Sequence, residues 1–255
     1  ITLASTTSTR NSGLYKFLLP KFTEKTGIAV RVIAVGTGQA IRLAKAGDAD
    51  VLLVHHQESE ENFVKNGYGV KRIEIMYNDF IIVGPKIDPA RARATDNVVA
   101  ALRAIADTRS TFASRGDDSG THKKEQTLWN AAGIKAERPR KSWYRETGSG
   151  MGATLNTASA MNAYTLTDRS TWLKFANKGN LVIIYEGDKN LINPYGIILV
   201  NPKKHSHIKK KEGQVFIDWI TSPLGQNAIA GYTIRGQQAF YPTRVNGLNS
   251  PVVSK

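Results

Sequence analysis

The feature that most constrains this chain is a unit repeated along its first third. The unit is a short apolar strand, a turn of small or hydroxylated residues, then a helix. Ile1–Ser5 reads as a strand and Thr6-Thr7-Ser8-Thr9 as its turn. The helix follows from about Ser12, with Leu14, Phe17, Leu18 and Phe22 along one face. Pro20 should kink that helix or start a second turn, and Gly27 closes it. Ile28–Val35, Gly36-Thr37-Gly38 and Gln39–Ala46 repeat the unit up to Gly47. Val51–Val54, His55-His56 and about Glu58–Asn66 repeat it again. Such alternation predicts an α/β fold, with mainly parallel sheet flanked by helices. In open sheets of this kind ligands collect at the carboxyl edge of the strands. Thr6, Thr7, Ser8 and Thr37 fall on that edge.

A fourth junction is richer in chemistry. Ser114-Arg115-Gly116-Asp117-Asp118-Ser119-Gly120-Thr121-His122 follows the β-prone Ser110–Ala113. It leads into a helix over Lys123–Ala132, with Leu128, Trp129 and Ala132 on one face and Gly133 as its stop. Helix starts present free N–H donors and partial positive charge, which anions favour. Arg115 adds a planar fork of donors that stays charged, and Ser119 and Thr121 add hydroxyls. The stretch is read as an oxyanion cradle. Asp117, Asp118 and Ser119 are each candidate helix caps. The spacing of Gly116 and Gly120, followed by Thr121-His122, fails the phosphate-loop pattern. Asp118 and His122, four apart, leave open a hydrolase or metal reading that nothing else in the chain supports.

Two further segments mark the domain plan. Tyr77–Lys86 and Asn193–Lys203 each place a tyrosine before an apolar strand and a Pro-Lys exit. These are read as crossings between two lobes. The first lobe is expected at 1–82 plus 196–255 and the second at 83–195. In the second, Asn97–Thr108 is expected to be a helix and Thr111–Ala113 a strand. Gly148-Ser149-Gly150-Met151-Gly152 should open another helix, running to about Asn162, with no strand clearly before it. Ser149 would then face the cleft. Ala163–Thr167 and Leu181–Tyr185 read as strands, and Asp168–Phe175 as a helix capped by Asp168. Val215–Thr221 and Leu224–Tyr232 read as helices of the first lobe. Lys203, Lys204, Lys209, Lys210 and Lys211, with His205 and His207, form a basic turn.

Composition bounds the partners. The 255 residues carry 35 Lys and Arg against 21 Asp and Glu, a formal charge of +14 that favours negatively charged partners. The basic residues are dispersed and no nucleic-acid motif is present, so nucleic acid is not expected. No apolar run has the length of a membrane span. Cysteine is absent, which excludes disulfides and thiolate metal sites. The histidines lack ligand spacing, so no metal and no cofactor is expected. The chain opens directly on the strand-like Ile1-Thr2-Leu3-Ala4, which reads as the product of a removed export signal.

Several motifs together resemble a known family. They are Ser5-Thr6-Thr7-Ser8-Thr9 with Ser12-Gly13-Leu14, Gly47–His55, Met76–Phe80, Ser114–His122, Met161–Arg169 and Phe216–Pro223. Spread over nearly the whole chain, they are similar to the tungstate-binding components of bacterial ABC import systems, within the periplasmic oxyanion-binding proteins. The resemblance implies a two-lobed type II periplasmic binding protein that holds an oxyanion in the interlobe cleft. It implies tungstate or molybdate as ligand, a membrane permease as partner and a monomeric, periplasmic receptor rather than an enzyme. Carried over by motif, the anion contacts fall on Thr6, Thr7 or Ser8, on Thr37, and on Arg115, Ser119 and Thr121. The family's first loop usually opens Thr-Thr-Thr-Ser, whereas Ser5 stands first here. The alternatives are a phosphate or sulfate receptor, and a phosphate-ester hydrolase with Ser119 or Asp117 as nucleophile and His122 as base.

Overall fold

The computed structural model describes residues 1–134, 142–245 and 248–249. It divides into two units, Ile1–Asn78 with the described residues from Asn193 onward, and Asp79–Ile192. The changeovers fall after Asn78 and Ile192, where the sequence expectation put them after 82 and 195. The echoing segments locate the most apolar part of each crossing strand, and the changeover lies just before that part.

The first unit begins with β1 (Thr2–Thr6), α1 (Thr7–Ser12) and α2 (Leu14–Thr26). Next come β2 (Arg31–Val35), α3 (Thr37–Ala46), β3 (Val51–Val54) and α4 (Gln57–Lys65). The expected hydroxyl turn after β1 is therefore itself helical from Thr7. Gly13, at φ 88°, separates α1 from α2. Pro20 sits inside α2 without ending it. The strand expected over Ile28–Val35 forms only from Arg31.

β4 (Gly69–Pro85) is a long strand that passes from one unit into the other. The second unit continues with α5 (Val98–Asp107), β5 (Phe112–Ser114), α6 (Gly120–Ala131), β6 (Tyr144–Glu146) and α7 (Met151–Met161). It ends with β7 (Thr165–Asp168), α8 (Arg169–Lys174) and β8 (Leu181–Tyr185). A strand thus does precede the Gly148–Gly152 run. Its three residues, Tyr144-Arg145-Glu146, are too short and too polar to stand out in the sequence. β9 (Ile192–Val200) returns to the first unit, followed by α9 (Lys210–Thr221) and α10 (Pro223–Ala230). Five two-residue strands follow: β10 (Thr233–Ile234), β11 (Gln237–Gln238), β12 (Tyr241–Pro242), β13 (Arg244–Val245) and β14 (Leu248–Asn249).

The main path of the sheet runs β12-β4-β9-β3-β1-β2. β1 is parallel to β2 and to β3, as the repeated unit requires. The crossing strands bring antiparallel pairs: β9 with β3, β12 with β4, and β7 and β8 with the second half of β4. The sheets are therefore mixed: the expected parallel pairing holds for β3, β1 and β2 and for β5 with β6, whereas β4 and β9, which cross between the units, pair antiparallel with β3, β7, β8 and β12.

Each unit has its own core. In the first, Ala4, Leu52, Val54, Ile198 and Val200 pack against Ala40, Ile41 and Ala44 of α3 and Phe63 of α4. In the second, alternate residues of β4 point to opposite faces, the two-residue period of a strand. Phe80 and Ile82 pack with α5, Leu128 and Trp129. Ile81 and Val83 pack with Met151, Leu155 and Ala158 of α7 and with Trp172. Helices cover both faces, which explains the near-continuous apolar run of residues 80–83.

Candidate anion-binding site

In the first unit the register of β1 and β2 pairs Thr6 with Val35. Both strands therefore end side by side at one edge, and both lead straight into helices. At the end of β1, Thr6 is the N-cap of α1. Its Oγ1 accepts the Thr9 amide at 3.4 Å and shares hydrogen bonds with Thr9 Oγ1 at 2.7 Å and Ser8 Oγ at 3.2 Å. Beside it, Gly36 caps α3 without any side-chain hydrogen bond, so the first-turn N–H groups keep their donor capacity. Thr37, the first residue of α3, is 1 % exposed, and its Oγ1 finds no hydrogen-bond partner among the described residues. A buried hydroxyl without a partner is costly in a folded protein and calls for an explanation.

The second unit repeats this plan. β5 and β6 are parallel, with Ser114 opposite Glu146. Their ends lead to α6 and α7. Arg115 follows β5 directly and is 6 % exposed. Its Nη2 donates to Asp117 Oδ2 at 2.5 Å, its Nη1 reaches Thr121 Oγ1 at 3.5 Å, and its Nε has no partner among the described residues. Gly116 turns the chain away at φ 58°. A Cβ there would lie 2.9 Å from Glu146 Cβ, so glycine is required on both counts. Ser119 caps α6 by accepting the His122 amide at 3.2 Å, while its own N–H donates to Asp117 Oδ1 at 3.3 Å. Asp117 is thus the partner that fixes Arg115, and Ser119 is the cap. Thr147, after β6, donates to Ser114 O at 3.0 Å and receives Ser149 Oγ at 3.0 Å. α7 then starts at Gly150, again without a side-chain cap.

The hydrolytic reading finds no geometry. Asp118 is exposed, with φ 55°, and its backbone N–H, not its carboxylate, meets His122 Nδ1 at 3.2 Å. Ser119 Oγ serves the helix cap. Among the described residues no group of three or more His, Asp and Glu is placed to hold a metal ion.

The chain is similar to known proteins over most of its length. Residues 1–223 match the family described as "PBP superfamily domain". The "Tungstate-binding protein TupA" of Peptoclostridium acidaminophilum is 48% identical over 234 residues, 91% of this chain and 81% of that protein. That of Campylobacter jejuni is 40% identical, over 91% of this chain and 87% of its own length. This chain belongs to the tungstate-binding proteins of that superfamily. Among solved structures, the tungstate-binding protein TupA from Desulfovibrio alaskensis G20 superposes with a TM-score of 0.83 at 43% identity, covering 95% of this chain and 98% of that one. The tungstate ABC transporter structure from Geobacter sulfurreducens gives 0.83 at 48% identity, over 91% and 98%.

Within the family's pattern, the structure places the expected residues in two groups. Thr6, Thr7, Ser8 and Thr37 gather at the end of β1 and β2, and Arg115, Ser119, Thr121 and Ser149 at the end of β5 and β6. Ser5, where this chain departs from the family's first loop, is fully buried. Its Oγ donates to Leu53 O at 2.7 Å and also meets Tyr15 OH. The Ser-for-Thr difference therefore falls on an internal hydrogen bond.

Sequence reasoning missed Glu125 and Thr147. Glu125 is 2 % exposed in α6 and accepts from Ser114, Tyr144 and Trp129. Burial pushes its carboxyl up to about 7, against those hydrogen bonds. The signal was available, since an acid sits three and four residues before Leu128 and Trp129 on the apolar face of α6. Thr147 had none, because its role depends on the pairing of β5 with β6.

Proposed function

We propose that this chain is the receptor of an ABC import system, capturing tungstate, and molybdate with it, outside the cytoplasmic membrane and passing it to a permease. The chain's family consists of binding components, so its task is capture and release and it is not an enzyme. The observation that carries the reading is that, of the five buried side-chain atoms without a hydrogen-bond partner among the described residues, two, Arg115 Nε and Thr37 Oγ1, lie beside the helix starts of the candidate site. An oxyanion offers acceptors of the kind each lacks, with Thr6, Thr7 or Ser8 as further donors beside Thr37, and Ser119, Thr121 and Ser149 beside Arg115.

The donor set also ranks the anions. Tungstate, molybdate and sulfate only accept hydrogen bonds near neutral pH. Phosphate keeps a proton over much of that range and needs an acceptor facing it. Both oxygens of Asp117 are engaged, by Arg115 and by the Ser119 amide, and both oxygens of Glu125 are engaged as well. His55, after β3, meets Asn193 Oδ1 at 3.1 Å. A phosphate proton would be left unsatisfied, at a cost of roughly 1–3 kcal/mol. Competition calorimetry at pH 7.5 in a non-coordinating buffer should give tight binding of tungstate and molybdate at one per chain, weak sulfate and very weak phosphate. Phosphate displacing tungstate at comparable concentration would sink the assignment.

A further inference from the structure

Glu125, the buried carboxylate of the second junction, takes no part in the contacts proposed above. It lies one helical turn after Thr121, on the same face of α6. Its Oε1 accepts from Tyr144 OH at 2.6 Å and Trp129 Nε1 at 3.2 Å, and its Oε2 accepts from Ser114 Oγ at 3.0 Å. The Arg115 amide also donates to it. One side chain therefore ties the end of β5, the start of β6 and α6 together, directly behind Arg115 and Thr121.

We propose that Glu125 is the positioning residue of this junction, and that binding of the oxyanion is linked to uptake of a proton on its carboxylate. The inference rests on the receptor reading above. Its physical basis is the spacing on α6. A dianion held at Thr121 and Arg115 sits within roughly two helical turns, ~10 Å, of a second negative charge shielded from water. Like charges in such a place disfavour ionisation of the carboxylate. The partners also tolerate either state. Ser114 and Tyr144 carry hydroxyls that can turn from donating to accepting, whereas the Trp129 N–H only donates. A proton on Oε2, facing Ser114, leaves Oε1 free to receive Trp129.

Burial already holds the free protein's Glu125 near the crossover, at about 7. The charged groups around it have other commitments. Arg115 is paired with Asp117, and Glu146 on β6 is exposed. On α6 itself Lys124 Nζ reaches Ile192 O at 3.5 Å, and His122 meets the Asp118 amide and Gln126. From α5, Arg103 donates to Ala132 O at 3.1 Å, and Asp168 at the end of β7 caps α8. Among the described residues no cation forms an ion pair with Glu125.

Calorimetry with molybdate, repeated in two buffers of different ionisation enthalpy at pH 7.5, reads the proton directly. The expected result is net uptake of a fraction of a proton per anion. Affinity should tighten about six- to twentyfold from pH 8.5 to pH 6.5, the range for a rise of one to two units from about 7 in the complex. Glu125→Gln should take up no proton and lose this pH dependence, and Glu125→Asp should regain it. A pH-independent wild-type affinity with no proton uptake overturns the proposal, and so does an unchanged pH dependence in Glu125→Gln. The wild-type buffer pair decides the matter even if the variants fold poorly. Failure of the wild type to bind molybdate or tungstate at any of these pH values would instead overturn the receptor reading and this inference with it.

Discussion

Thr37 Oγ1 and Arg115 Nε both lack a hydrogen-bond partner among the described residues, and substitution should separate their roles. Thr37 Oγ1 is a buried neutral hydroxyl with no hydrogen-bond partner among the described residues, so Thr37→Val removes a group that the free fold does not use. The free protein should be as stable as wild type or slightly more so by thermal melting. Anion affinity should fall roughly five- to tenfold, the loss of one hydrogen bond of about 1–1.5 kcal/mol. A variant that melts lower and binds normally would move Thr37 from ligand contact to structural support. Arg115 is charged and held by Asp117 at 2.5 Å. Arg115→Ala should weaken tungstate binding by about 3 kcal/mol, since a desolvated charge-assisted contact is lost and Asp117 is left exposed to the anion. Arg115→Lys should recover little of this, because an ammonium cannot serve Asp117 and the anion in the planar geometry of the guanidinium. Near-native affinity in the alanine variant, read by calorimetry, would remove Arg115 from the site.

The helix starts carry the second level of the design, and they differ in their caps. Thr6 and Ser119 cap α1 and α6 with side-chain oxygens, whereas Gly36 and Gly150 leave α3 and α7 uncapped by any side chain. At Gly36 the backbone has φ −68° and ψ 154°, and a Cβ would meet nothing within 4 Å. Serine fits there and is a favoured cap. Gly36→Ser should stabilise the free protein by roughly 0.5 kcal/mol, yet weaken tungstate binding, because its Oγ takes first-turn N–H donors the anion would use. A gain in melting temperature with unchanged affinity would show that the α3 start does not face the ligand. These elements were legible in the sequence because each strand ends in small residues and each helix shows its apolar face. The strand expected over Val51–Val54 and the α3 stop at Gly47 fall where the residues put them. What escaped was whatever depends on pairing between distant segments. β6 is three polar residues held by β5, and α1 is six residues held by the Thr6 cap and the Gly13 turn. Neither has enough local pattern to announce itself. For the same reason the sequence could propose hydroxyls and Arg115 for the candidate site, but not Glu125 and Thr147 behind them.

At the scale of the whole molecule, the charge of +14 bears on how an anion arrives. Part of it surrounds the C-terminal end of α3. There Lys45 and Lys204 lie over the Tyr68 ring. Cations at that end complement the helix dipole, whose positive pole is the start of α3 at Thr37. The remaining positive charge creates a long-range field, and such a field steers a dianion toward the protein before any hydrogen bond forms. Salt screens it, with a Debye length of about 20 Å at 0.02 M and roughly 5–6 Å at 0.3 M. On the proposed reading, the buried donors Arg115 Nε and Thr37 Oγ1 would act at contact distance, out of reach of this screening. Raising NaCl from 0.02 to 0.3 M should therefore slow tungstate association severalfold and leave dissociation nearly unchanged. The four tryptophans supply the fluorescence for a stopped-flow measurement. An association rate that ignores salt would mean that the positive surface has no role in capture. A dissociation rate that climbs with salt would mean that exposed lysines, and not the buried junctions, hold the anion.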